Sequence, residues 1–108
     1  MIYTVSEIQR IITPIARKYH LRAVYLFGSY ARGTPTENSD VDLLIDTEGS
    51  AVKSLLALAA IYCEMEEALH KHVDLLTVSA LKQKAMMPSE TDFQTAVNAE
   101  RKMLYAVA

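Results

Sequence analysis

The sequence predicts an α/β (α+β) fold in which a small mixed β-sheet packs against helices. Short runs rich in branched, aromatic and other apolar residues, typical of strands, occur at residues 23–27, 40–46 and 73–78. Around them, apolar residues recur at helical spacing in residues 6–20 and 51–70. Because strands and helices alternate along the chain, we expect one sheet and one set of helices to pack as layers.

Composition limits the classes of protein to consider. Hydrophobic residues make up 51% of the 108 residues, so we expect one folded domain spanning residues 1–108. The formal net charge is −2, so direct nucleic-acid binding is not expected. The single cysteine, Cys63, excludes an internal disulfide, and neither a signal peptide nor a membrane-length apolar stretch is visible. We therefore expect a cytoplasmic protein with no membrane partner.

The first helix is predicted to begin at Ser6, the N-cap of a capping box that Gln9 completes. Isoleucines and Tyr19 then recur at helical spacing, which gives one apolar face through about His20. Pro14 lies inside this segment and has no backbone N–H, so it predicts either a kink or a later start of the helix.

Residues 23–27 (AVYLF) are the first predicted strand, which ends at Gly28-Ser29. A short helix can begin at Ser29 and end at Gly33, because glycine is favoured at helix C-caps. A polar loop over residues 34–39 leads to the second predicted strand, residues 40–46 (DVDLLID).

The second half of the chain begins with a long predicted helix over residues 51–70, capped by Ser50. Its core-facing stripe is predicted to consist of Leu55, Leu58, Ala59, Tyr62, Met65 and Leu69. A third strand follows at residues 73–78, and a helical turn is expected within residues 81–87. A last helix is predicted from Ser89 or Thr91 to about Tyr105, with core contacts from Phe93, Val97, Met103 and Leu104.

Aspartates at the start of two strands are the candidate metal ligands. Asp40 and Asp42 are two residues apart, so on a strand they project from one face with Cα atoms about 7 Å apart. Enclosed carboxylates repel each other and lose solvation, and a shared cation removes both penalties. Asp74 lies near the start of the third strand. If that strand lies beside the second, the three carboxylates meet.

This set of carboxylates suits phosphoryl transfer. Mg²⁺ prefers carboxylate and phosphate oxygens. Two such ions about 3.5–4 Å apart can hold a phosphate tail and activate an attacking hydroxyl. Asp40 and Asp42 would bind the metal, and Asp74 would complete its coordination shell or accept the proton of the hydroxyl.

The turn after the first strand supplies candidate phosphate contacts. Gly28 would let the backbone approach phosphates without a Cβ atom in the way. Ser29 offers a backbone N–H and a hydroxyl at a helix start, and Arg32 could pair with a phosphate through its guanidinium. The alternative for Arg32 is an ordinary surface ion pair with Glu37 or Asp46.

The spacing of these motifs resembles a known signature. Gly28-Ser29, ten intervening residues and then Asp40-x-Asp42 resemble the signature of the DNA polymerase β-like nucleotidyltransferase superfamily. The strings LFGSYARG, SDVDLLI and VDLLT are similar to its minimal nucleotidyltransferase branch, and the similarity extends to the tail FQTAVNAERKMLYA. The resemblance implies the polymerase β-like palm fold. One departure is MMPSETD, which stands where a more basic stretch is expected.

The resemblance implies an enzyme that transfers AMP from ATP, with Mg²⁺ on Asp40, Asp42 and Asp74 and the nucleotide on Gly28 and Ser29. Members of this branch are commonly antitoxins paired with a HEPN-domain toxin, and some transfer AMP to a tyrosine of that toxin. It therefore implies a hetero-oligomer with such a toxin. Two alternatives stay open: an antitoxin that acts by binding alone, and a transferase subunit acting on RNA or a small molecule. A homodimer is also compatible.

Three further residues have structural interpretations. The pair His70-x-His72 has no third soft ligand nearby, and a histidine at a helix C-terminus interacts favourably with the helix dipole. Cys63 is expected to be a small buried side chain.

Because we see no second domain to hold an acceptor, we infer that another macromolecule supplies the acceptor hydroxyl.

Overall fold

The computed structural model describes residues 2–50, 52–84 and 101–107. The helices of this part of the chain are α1 (Val5–Lys18), α2 (Gly28–Arg32), α3 (Leu55–Leu69) and α4 (Val78–Lys84). Its strands are β1 (Ala23–Phe27), β2 (Val41–Asp46), β3 (Val73–Thr77) and β4 (Lys102–Ala106). No helix within these residues is both long enough and apolar enough to cross a membrane.

The strands form one mixed sheet in the order β3-β2-β1-β4. β1 pairs antiparallel with β2 and with β4, whereas β2 and β3 are parallel. The parallel pairing sets Asp42 opposite Asp74. The predicted mixed sheet is therefore confirmed, and the condition under which the three aspartates meet, that the second and third strands are neighbours, is fulfilled.

The two faces of the sheet differ in what covers them. The larger core lies on the α1 and α3 side and includes Ile8, Leu26, Leu43 and Met65, all with no solvent exposure. On the other face, a smaller cluster joins Phe27 and Leu44 to Leu81 of α4. Asp42 and Asp74 alternate with the main-core residues of their strands, so their side chains belong to the α4 face.

The helix predicted for the end of the chain is wrong at residues 102–106, which form β4. This strand pairs with the free edge of β1, whose backbone groups need partners on both sides. Leu104 is buried as expected, but Met103 is 59% exposed and is not a core contact. The other parts of that prediction, a start at Ser89 or Thr91 and contacts from Phe93 and Val97, lie outside the described residues.

The N-cap of helix α1 lies two residues before the predicted one. Thr4 caps it: the Glu7 N–H donates to Thr4 Oγ1 (3.1 Å), and the Thr4 N–H donates to Glu7 Oε1 (2.9 Å). A carboxylate accepts the N-cap hydrogen bond more strongly than the amide of Gln9 would, which favours this earlier box over the one at Ser6. The helix passes through Pro14, so the alternative of a later start is wrong.

Helix α3 is shorter than predicted. It begins at Leu55, because the Ser54 hydroxyl accepts a hydrogen bond from the Ala57 N–H (3.1 Å), and Ser50 is not its cap. It ends at His70, which adopts the left-handed conformation with φ +53°. His70 thus terminates the helix through its backbone.

The predicted core-facing stripe of α3 is confirmed at Met65 and Leu69 but wrong at Leu55. Apolar residues occur on several sides of this helix, so spacing alone did not identify Ile61 as a core residue. The fully buried residues are Ile61, Met65 and Leu69. Leu55 is 82% exposed, and Cys63, expected to be buried, is exposed on the same outer side.

Truncating Ile61 is expected to destabilise the protein far more than truncating Leu55. Ile61→Ala should lower the free energy of unfolding by ~2–4 kcal/mol, because it opens a cavity in the core. Leu55→Ala should change it by less than about 0.5 kcal/mol, since the side chain lies mainly in solvent. Urea unfolding of both variants measures the difference, and equal destabilisation would contradict this orientation of α3.

Candidate active site

The parallel pairing of β2 and β3 brings two predicted metal ligands together. Asp42 and Asp74 occupy opposed positions in the register, and their side chains share a hydrogen bond. The Asp74 side chain is 61% exposed, whereas Asp42 is partly buried. Asp40 directly precedes β2 and lies close enough for its charge to act on Asp42. The structure therefore brings all three aspartates to one end of the sheet.

Gly28 packs directly beneath the Asp42 carboxylate. Its φ is +74°, and a Cβ atom added here would lie 2.9 Å from Asp42 Cγ and 3.3 Å from Asp42 Cβ. Real Cβ atoms essentially never approach another heavy atom more closely than 3.0 Å, so the Asp42 side chain would have to move. The turn after β1 and the aspartate of β2 can therefore approach each other only with glycine at this position.

The Asp42 carboxyl is the most strongly perturbed group of the site. Burial, the hydrogen bond and charge of Asp74, and the charge of Asp40 together raise the pKa of Asp42 from 3.8 to about 7, while Arg32 opposes the rise. Without a bound cation, Asp42 therefore stays largely protonated at pH values below about 7, which avoids a further negative charge in the site.

Without metal, the protein is expected to lose stability as the pH rises from about 4 to about 7. An acid whose pKa is higher in the folded chain than in the unfolded chain binds more protons when the chain is folded. Its contribution to the free energy of unfolding is therefore fully present at low pH and is lost as the pH rises through the folded-state pKa. Allowing for partial exposure, we expect ~1–2 kcal/mol from Asp42. Urea unfolding in EDTA at about pH 5 and about pH 8 measures the loss. Asp42→Asn should show a smaller loss, and an identical pH dependence in both proteins would contradict this origin.

The short helix α2 positions the predicted phosphate contacts. Tyr30 and Ala31 are buried and anchor the helix, and Gly33 ends it in the left-handed conformation, as predicted. Ser29 is partly buried in the first turn. Arg32 is exposed in the last turn, and its charge acts on Asp42.

Asp46 lies at the end of β2, where its Oδ2 is 3.8 Å from Arg22 Nε and its side chain caps the following turn. The Glu48 N–H donates to Asp46 Oδ1 (3.1 Å). Asp46 was one of the two surface partners considered for Arg32, and it forms an ion pair with Arg22.

Two residues next to Asp74 carry contacts that the sequence did not indicate. Glu66 of α3 accepts a hydrogen bond from the Val73 N–H (3.0 Å) and lies 2.8 Å from His72 Nδ1. The other ring nitrogen of His72 lies 3.7 Å from Asp74 Oδ1. No local signal could have found this arrangement, because α3 and β3 come together only in the folded chain.

The chemistry of the aspartates suits Mg²⁺, although their carboxylates do not converge on a single point. Within residues 2–50, 52–84 and 101–107, no three acidic, histidine or cysteine side chains converge tightly enough to form a metal cluster. The arrangement is instead an Asp42–Asp74 pair with Asp40 beside it. Carboxylate oxygens that repel one another are the donors Mg²⁺ prefers, so the residues present fit this ion.

A mixed sheet with aspartates on neighbouring strands and a glycine turn against one of them is the arrangement that the sequence motifs predicted for a nucleotidyltransferase. The nucleotidyltransferase domain family matches residues 8–100, and the chain belongs to that family. The chain is thus a nucleotidyltransferase, as its motifs predicted.

Two archaeal relatives extend this assignment. MJ0435 of Methanocaldococcus jannaschii, which carries the name of a protein adenylyltransferase, is 44% identical over 78 residues, 71% of this chain and 81% of the relative. The protein adenylyltransferase MntA of Thermococcus cleftensis is 37% identical over 83 residues, 73% of this chain and 82% of the relative. These matches confirm the predicted minimal nucleotidyltransferase branch.

Solved structures share the fold. A chain of a toxin–antitoxin complex with AMP-PNP matches 92% of this chain and 73% of its own length, with a TM-score of 0.67 and 26% identity. The structure of a minimal nucleotidyltransferase matches 93% of this chain and 95% of its own length, with a TM-score of 0.64 and 25% identity. One chain of a complex of tri-AMPylated Shewanella oneidensis HEPN toxin with MNT antitoxin matches 96% of this chain and 74% of its own length, with a TM-score of 0.63. At 19% identity, this match shows the fold alone.

Proposed function

We propose that this chain uses Mg²⁺ to transfer AMP from ATP to a tyrosine hydroxyl of a partner HEPN-domain toxin, and so acts as its antitoxin. The observation that carries the proposal is the parallel register of β2 and β3, which sets Asp42 beside Asp74. The antiparallel pairing of β1 with β2 brings Gly28 against the same Asp42 side chain. The names of the archaeal relatives and the toxin–antitoxin structure with AMP-PNP support this choice of reaction and partner.

Asp40, Asp42 and Asp74 would hold the metal. The burial and like charges that raise the pKa of Asp42 are the penalties that a cation relieves. When bound, Mg²⁺ neutralises phosphate charge and aligns the reacting oxygens.

The nucleotide would bind on the β1 side of the aspartates. Gly28 keeps that surface free of a side chain, so a phosphate can approach the backbone and Asp42 at once. Ser29 adds a backbone N–H and a hydroxyl as donors. Arg32, exposed and electrostatically coupled to Asp42, can extend its guanidinium toward the same phosphates.

The acceptor would bind on the β3 side. Its phenolic oxygen attacks the α-phosphorus of ATP and forms the new P–O bond, the bond from that phosphorus to the bridging oxygen breaks, and pyrophosphate leaves. Asp74, the more exposed member of the pair, receives the phenolic proton.

Labelled ATP tests the reaction. The purified chain is mixed with a HEPN-domain protein encoded beside it, Mg²⁺, and ATP labelled on either the α- or the γ-phosphate. The α-label should remain on the toxin, at a tyrosine located by peptide mapping, and the γ-label should leave in pyrophosphate. Toxin that retains the γ-label, or no label, would refute AMP transfer.

A test in cells separates catalysis from binding. The double variant Asp40→Ala, Asp42→Ala should fail to neutralise the toxin while still binding it in a pull-down. Full neutralisation by the double variant would instead favour an antitoxin that acts by binding alone.

A further inference from the structure

The imidazole ring of His72 is oriented by side chains of α3. Its Nδ1 lies 2.8 Å from Glu66 Oε2, the same oxygen that accepts the Val73 N–H (3.0 Å). The Tyr62 side chain also hydrogen-bonds to Glu66, and the Tyr62 ring meets the His72 ring edge-on, with 6.4 Å between their centroids. Glu66 therefore holds the ring of His72 at the start of β3.

The contact with Glu66 determines which ring nitrogen of His72 can bind a further group. A carboxylate only accepts hydrogen bonds, so Nδ1 carries the proton that is donated to Glu66. In the neutral ring, the unshared electron pair is then on Nε2. This nitrogen lies 3.7 Å from Asp74 Oδ1, which is beyond hydrogen-bonding distance. A nitrogen lone pair and a carboxylate oxygen are therefore adjacent at the edge of the candidate active site.

This arrangement is the one found around histidines that bind metal ions. Such a histidine commonly donates its other ring N–H to a carboxylate, which fixes the tautomer and raises the basicity of the ligand. Two ligand atoms at right angles around an ion, each about 2.1 Å from it, lie about 3.0 Å apart. The separation of Nε2 and Oδ1 is 3.7 Å, and the Asp74 side chain is 61% exposed, so its rotation can bring the two atoms to that spacing.

We propose that His72 is a ligand of the divalent cation at Asp74 and that the site therefore binds Mn²⁺ in preference to Mg²⁺, an inference that rests on the metal site of the proposed function. Asp42, which shares a hydrogen bond with Asp74, supplies a second carboxylate beside this pair. Mg²⁺ favours oxygen ligands, whereas Mn²⁺ accepts the same oxygen ligands and binds imidazole nitrogen more tightly. Water and phosphate oxygens of the nucleotide can complete the coordination.

The neighbouring histidine, His70, provides a matched control. Its backbone N–H donates to the Glu66 carbonyl (2.8 Å), and its backbone ends α3 with φ +53°. Asparagine tolerates this left-handed conformation, so His70→Asn removes an imidazole while keeping the end of the helix. His72 is 55% exposed, so His72→Asn should also fold normally.

Metal binding by the chain alone, without ATP or partner, tests the proposal. Mn²⁺ is titrated at about pH 8, where Asp42 is ionised, and free Mn²⁺ is measured by electron paramagnetic resonance. We expect His72→Asn to raise the Kd for Mn²⁺ at least about 10-fold, while the Kd for Mg²⁺, obtained by competition, changes less than about three-fold. His70→Asn should leave both constants unchanged. Pulsed resonance should show a nitrogen nucleus coupled to the bound Mn²⁺ in the unaltered chain and in His70→Asn, and none in His72→Asn.

Glu66→Gln tests the role of the carboxylate without removing the ligand. The amide oxygen can still accept the Val73 N–H, but the amide N–H can donate to His72 Nδ1 and so move the ring proton to Nε2. We expect this variant to raise the Kd for Mn²⁺ about 10-fold with little effect on Mg²⁺.

The outcomes distinguish the ligand from the reaction. Equal Mn²⁺ affinity in His72→Asn and the unaltered chain, bound Mn²⁺ without nitrogen coupling, or no Mn²⁺ binding by the unaltered chain would each overturn the inference. AMP transfer supported by Mg²⁺ together with any of these results would uphold the proposed function alone. Nitrogen-bound Mn²⁺ in a chain that transfers AMP to no partner would uphold the ligand and refute the proposed function.

Discussion

Asp42→Asn is expected to reduce AMP transfer by at least about 10³-fold, the largest loss we expect from a single substitution in this chain. The change keeps the size of the side chain and removes the negative charge that a bound cation would require. Because Asp42 is the partly buried acid of the set, with a pKa raised to about 7, its replacement should not destabilise the metal-free fold at neutral pH. Initial rates with saturating ATP and partner, together with urea unfolding, measure both effects.

Asp46→Asn is the matched control for this substitution. Asp46 lies on the same strand four residues further on, and therefore on the same face, but it pairs with Arg22 at 3.8 Å and lies at the far end of β2. The control should retain transfer within about two-fold. If Asp46→Asn lost as much activity as Asp42→Asn, the effect would reflect the charge of the whole strand face. If Asp42→Asn remained active, Asp42 would not be a metal ligand.

The elements that local sequence could predict are those specified by neighbouring residues. β1 has the predicted bounds because branched and aromatic residues end abruptly at a glycine, and α2 ends at Gly33 because its backbone requires φ +79°. Asp40 and Asp42 were identified from their two-residue spacing, which is also a local property. Their union with Asp74 was expected only on condition that β2 and β3 pair, and the parallel register met that condition.

The features that sequence could not predict depend on contacts between distant segments. β4 forms because the free edge of β1 has backbone groups that need hydrogen-bond partners. The residue types within residues 102–106 do not by themselves indicate a strand. The buried face of α3 was predicted correctly at Met65 and Leu69, but Leu55 was wrongly included and Ile61 was missed, because apolar residues occur on several sides of the helix. The hydrogen bond from Lys71 Nζ to the Glu37 carbonyl likewise joins two loops that are far apart in the chain.

Gly28→Ala is expected to abolish most of the transfer activity and to destabilise the fold. The added Cβ would collide with the Asp42 side chain, whose Cγ would lie 2.9 Å away, and alanine is strained at φ +74°. Asp42 must move or the turn must shift, and either change separates the nucleotide surface from the metal ligand. A displacement of about 1 Å in such a site can cost about 10²-fold in rate. We expect a loss of at least that size in AMP transfer.

Gly33→Ala isolates the collision from the backbone strain. Gly33 has nearly the same φ, +79°, but an added Cβ there would meet no atom within 4 Å. Its replacement should therefore cost ~1 kcal/mol of stability through the left-handed conformation alone, with transfer largely retained. The difference between the two variants, in rate and in urea midpoint, measures how closely Gly28 packs against Asp42. Equal losses in both would mean that glycine is needed at residue 28 for its backbone conformation alone, and the close approach to Asp42 would then have no part in positioning the nucleotide.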